Sequence, residues 1–65
     1  MSTVLALRVA SSGNYCEARC SAGDDNSVTV EYYLDDELFR VAEHPRDTRL
    51  IDIFDHINKT IDSML

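Results

Sequence analysis

Cys16 and Cys20, His44 and His56, and twelve carboxylates are the side chains on which redox, nucleophilic or metal chemistry could draw in this chain. On a strand, Cys16 and Cys20 share a face about 13 Å apart, at roughly 3.3 Å per residue. That is too far for a disulfide. On a helix they come closer, but a C-x3-C pair without further cysteines is not a structural zinc signature. Two buried free thiols in a reducing compartment are therefore expected. A metal centre at His44 and His56 needs a third ligand, and acids such as Asp47 or Asp52 are nearby. Acids occur throughout the chain, so that proximity discriminates little, and neither a metal nor another cofactor is expected. No nucleophile elbow, glycine-rich phosphate loop or HExxH motif is present. Two glycines leave almost nothing from which to build a phosphate cradle. The chain is not expected to be an enzyme.

Charge narrows the partners. Six basic residues against twelve acidic ones give a formal charge of −6. Domains that bind nucleic acid by neutralising phosphates are usually basic, so nucleic acid is disfavoured and a basic protein surface is favoured. The acids gather at Asp24-Asp25, at Asp35-Asp36-Glu37 and along a row of Asp52, Asp55 and Asp62. A small acidic protein of this kind would suit an inhibitor encoded by a phage or another mobile element. The longest uninterrupted apolar run, Val4 to Leu7, is far too short for a bilayer. The N-terminus lacks a basic region followed by an apolar stretch, so no signal peptide is expected. A complete cytoplasmic gene product is the expectation, under which the Asn58-Lys59-Thr60 glycosylation pattern has no meaning.

The elements that must position these side chains are short. Sixty-five residues allow one domain, 1–65, near the lower limit for a core without staples. Turn residues fall at Ser11-Ser12-Gly13-Asn14, Gly23-Asp24-Asp25-Asn26, Asp35-Asp36 and His44-Pro45. Thr3–Ala10 alternates like a strand. Ser27–Leu34 is rich in β-branched and aromatic residues and reads as a second strand. Glu37–Glu43 follows after so short a gap that an antiparallel hairpin is the natural connection. Asn14–Ser21 reads as a strand; a two-turn helix closed by Gly23 is the alternative. After Pro45, Asp47 or Thr48 can cap a helix. Leu50, Ile53, Phe54, Ile57, Ile61 and Met64 then recur at helical spacing. Asp52, Asp55, His56, Lys59, Asp62 and Ser63 occupy the opposite side.

These elements predict an α+β fold: a four-stranded antiparallel meander with one C-terminal amphipathic helix on one face (ββββα, with βαββα the alternative). The inner face would hold Leu5, Leu7, Val9, Cys16, Ala18, Cys20, Val28, Val30, Tyr32, Phe39 and Val41. The outer face would show Arg8, Tyr15, Glu17, Arg19, Glu31, Tyr33 and Arg40. Arginine and tyrosine are enriched at binding hot spots. Arg8, Tyr15, Arg19, Tyr33 and Arg40, with Asp35, Asp36 and Glu37, are therefore the candidate partner-binding residues. The expected function is a non-enzymatic protein-binding adaptor or inhibitor. The alternative is a nucleic-acid-binding regulator that stacks bases on the Arg/Tyr face. A homodimer is also expected, with an Ile61/Met64/Leu65 patch on the helix side as its contact.

Overall fold

The computed structural model describes residues 3–65. Four antiparallel strands, β1 (Thr3–Val9), β2 (Tyr15–Ala22), β3 (Val28–Leu34) and β4 (Glu37–His44), form one sheet in the order β1-β2-β3-β4. Helix α1 (Leu50–Met64) follows. This is the ββββα arrangement, and Tyr15–Ala22 is a strand throughout. Among the described residues no helix is long and apolar enough to cross a membrane.

The turns follow from local chemistry. Gly13 supplies a left-handed φ of 94° between β1 and β2. At the second turn, Asp25 Oδ1 accepts the Ser27 N–H at 3.1 Å, and Asn26 takes a positive φ of 65°. Bonds from the Ser27 hydroxyl and backbone hold the Asp25 carboxyl below its ordinary pKa. At the third, Asp35 and Asp36 both have positive φ, 50° and 70°, the pairing that closes a two-residue hairpin with the twist of its strands.

The core lies beneath the helix and between the central strands. Cys16, Ala18, Val30, Tyr32, Ile53, Ile57 and Ile61 are fully buried, with Leu5, Ala6, Val28, Leu34, Ala42 and Met64 packed around them. Thr60 is buried too, beside the Tyr32 hydroxyl. Leu50 and Phe54 lie within the apolar arc of the helix by spacing, yet both stay exposed, Leu50 at the first helical turn. Arg49, not Asp47 or Thr48, occupies the N-cap, with extended backbone and no side-chain bond.

The edge strands depart from strict alternation. In β1 the register with β2 shifts between Val4 and Ala6, so Leu5 is an extra residue. In β4 the register with β3 shifts between Tyr32 and Tyr33, so Phe39 is an extra residue. A bulge of one residue reverses the facing of every side chain beyond it. Leu7 and Val9 therefore stand opposite Glu17 and Tyr15, away from the helix. Val41 stands opposite Glu31 on that same face, and Phe39 is exposed at its bulge. All four leave the expected inner face, and Cys20 and Val28 on it are only partly buried. In exchange Arg8, opposite Cys16, and Arg40, opposite Tyr32, move to the helix side.

The expected C-terminal apolar patch also dissolves. Ile61 lies in the core and Met64 is partly buried, its Sδ 3.7 Å from the Cys16 Sγ, which leaves Leu65 alone exposed. Replacing Ile57 with Ala should cost about 2–5 kcal/mol in a denaturation midpoint analysis, because the cavity opens in the middle of a small core. Asp55→Ala, which removes one exposed i, i+4 pair with Lys59, should cost less than about 0.5 kcal/mol. Equal effects from the two would contradict the packing.

Candidate functional site

The sheet face away from the helix carries two complete cross-strand rows. The first runs Leu7, Glu17, Tyr33, Leu38 from β1 to β4. The second runs Val4, Arg19, Glu31, Val41. Each row is apolar at both ends and polar in the middle. Val9 and Phe39 extend the apolar ends.

The polar centre is a closed set of contacts. The Arg19 guanidinium pairs with Glu17 and sits over the Tyr33 ring, 4.4 Å from its centroid. The Tyr33 hydroxyl lies 3.4 Å from Glu31 Oε2, to which it donates. The Glu17 carboxylate strengthens the hold of Arg19 on its proton. These groups fold flat against the sheet: the Glu17 side chain is only 16% exposed. The apolar residues at the margins stand out further, at 53–64% for Val4, Leu7, Val9, Leu38, Phe39 and Val41. A solvated sheet face normally shows the reverse, with polar groups reaching into water.

An acidic turn borders one end of this face. Asp35 exchanges two bonds with the Tyr15 backbone: Asp35 Oδ1 accepts the Tyr15 N–H at 3.0 Å, and the Asp35 N–H donates to the Tyr15 carbonyl at 3.0 Å. The Asp36 carboxylate near the Tyr15 hydroxyl pushes its pKa upward, since a neighbouring carboxylate opposes a phenolate. Asp35 and Tyr15 thus fix one another's positions, with Asp36 beside them and Glu37 following as the first residue of β4.

Of the residues singled out from the sequence, Tyr15, Arg19 and Tyr33 share the open face. Arg8 lies on the other side, where it makes an ion pair with Asp62 and ties β1 to α1. Arg40 lies there too, beside Tyr32. The apolar margins were not anticipated. The one available signal was loss of alternation: Val4-Leu5-Ala6-Leu7 and Leu38-Phe39 are apolar in both parities.

The residues that could have carried other chemistry are placed as follows. His44 and His56 meet edge to face with ring centroids 5.1 Å apart, and the Tyr32 hydroxyl lies 3.4 Å from His56 Nδ1. Asp47 and Asp52 do not join them: among the described residues no three His, Cys, Asp or Glu side chains cluster as a metal site. The described residues enclose no pocket. Cys16 and Cys20 are both free. Comparison with family models, with curated proteins and with solved structures gave no match.

Burial raises the pKa of the Cys16 thiol, whereas Cys20 is only partly covered. Brief alkylation of the native protein followed by peptide mass spectrometry should therefore label Cys20 first and leave Cys16 unlabelled until denaturant is added. Prompt labelling of Cys16 would contradict its place under Met64.

Proposed function

We propose that this chain is a small, acidic, non-enzymatic protein-binding module that acts as an adaptor or inhibitor through surface contact. The observation that carries this reading is the open sheet face, where six large apolar side chains stand more exposed than the polar groups between them. Large apolar side chains exposed along both margins of one sheet face are surface that a partner could cover. Arg19 and Tyr33 at its centre are residue types enriched at protein interfaces. The acidic turns around it favour a basic partner surface and give long-range attraction that steers encounter. Cytoplasmic residence, and a phage or mobile-element origin, belong to the same proposal.

The nucleic-acid alternative draws less support. It relied on three arginines beside two tyrosines, but Arg8 and Arg40 lie on the helix side and Arg19 is already paired with Glu17. What remains on the face is a net negative strip, which phosphates would avoid.

The test is affinity capture with three versions of the full chain: wild type, Leu7→Asp, and a turn variant carrying Asp35→Asn, Asp36→Asn and Glu37→Gln. A protein recovered stoichiometrically by the wild type should be lost with Leu7→Asp and weakened, in a salt-sensitive way, with the turn variant. An identical set of captured proteins from all three would contradict the reading. Retention of arbitrary oligonucleotides, weakening steeply with salt, would favour the alternative.

A further inference from the structure

The open face has a property that reaches beyond general protein binding: it is complementary to itself. The row Leu7, Glu17, Tyr33, Leu38 lies beside the row Val4, Arg19, Glu31, Val41. A two-fold axis in the plane of the contact, running across the strands between the two rows, exchanges them. Leu7 of one copy then faces Val4 of the other, and Leu38 faces Val41. Glu17 faces Arg19, and Tyr33 faces Glu31. Every apolar group meets an apolar group. Each arginine lies between two carboxylates, its own Glu17 and that of the second copy. Resting on the reading of this face as a protein contact, we propose that its occupant is a second copy of this chain, packed sheet to sheet about that axis.

Charge distinguishes two axes. A two-fold parallel to the strands would bring the same apolar margins together but set Arg19 against Glu31 of the second copy, so Glu17→Arg would leave it intact. The axis across the strands sets Arg19 against Glu17 of the second copy. It also leaves each turn outside the contact, free to meet a basic partner. Four strands at about 4.8 Å spacing and the length of a seven-residue strand give a flat area of roughly 19 by 23 Å. Counted on both copies that is about 870 Å², below the range of stable interfaces, so the association is a weak one, in the range of tens of micromolar. Sheets packed this way keep their strands within about 30° of each other, which the two edge bulges permit because they turn Leu7 and Val41 toward the partner rather than the helix.

The helix flank is the competing contact, with Leu50, Ile51 and Phe54 exposed. It offers fewer apolar groups.

The experiment is sedimentation equilibrium on the purified full chain, with folding of each variant checked by circular dichroism. The wild type should approach twice the 7.4 kDa chain mass at concentrations of roughly 10–100 μM. Glu17→Arg and Arg19→Glu, each alone, should weaken self-association by about 10-fold or more, because each places like charges across the axis. An equimolar mixture of the two should recover it as a heterodimer, since one copy then carries two arginines where the other carries two glutamates. Ile51→Asp should leave the mass unchanged. Recovery in the mixture supports the proposal. A monomer at every concentration overturns it and leaves the face to a foreign partner, so the protein-binding reading survives that result. A dimer lost with Ile51→Asp and indifferent to the Glu17 and Arg19 variants overturns it in favour of the helix flank.

Discussion

A single α-helix is about 10 Å wide, and four strands about 4.8 Å apart make a sheet nearly twice as wide. The helix therefore covers the central strands and leaves the inner positions of both edges half open. The buried residues sort accordingly: those of the sheet all come from β2 and β3, apart from partly buried Leu5, Ala6 and Ala42 at the edges. A large apolar side chain on the inner face of an edge strand would gain little cover. Ala6, Arg8, Arg40 and Ala42 stand there instead. The bulges at Leu5 and Phe39 produce this outcome, because they turn the larger residues of each edge to the other face.

The same geometry limits stability. Seven apolar residues form the buried core of the described chain, which is small even for a domain of this length. Three of the ion pairs, Arg8–Asp62, Arg49–Asp52 and Lys59–Asp55, lie at the surface and contribute little each. A module built this thinly gains from any partner that binds only its folded form. The apolar margins of the open face are where such a gain is largest. Stability and function are thus joined: the residues the helix cannot cover are those offered to a partner.

Much of this was legible in the sequence. The period of Ile53, Ile57 and Ile61 announces the helix and its buried stripe. The alternation of Val28, Val30 and Tyr32 announces the central strand, because β3 has polar or aromatic partners at every second place. Asp35-Asp36 between two apolar runs announces the hairpin. The faces of the edge strands were hidden for a physical reason. Val4, Leu5, Ala6 and Leu7 are apolar in either parity, so period two cannot say which face is inner, and the bulge is set by pairing with β2 rather than by local sequence. That ambiguity, with its counterpart at Leu38-Phe39 in β4, moved Arg8 and Arg40 off the candidate site and brought Leu7 and Val41 onto it. Cys16 could be read as buried, but its neighbour Met64 could not, since strand and helix meet there only in three dimensions.

The central claim is that the edge residues face away from the helix. Methyl-resolved nuclear Overhauser spectroscopy on selectively labelled protein tests it most directly. Ile53, Ile57 and Ile61 should show contacts with Ala18 and Val30 and none with Leu7, Val9 or Val41. Contacts from Leu7 or Val41 methyls to those helix isoleucines would contradict the bulged registers, and with them the open apolar face.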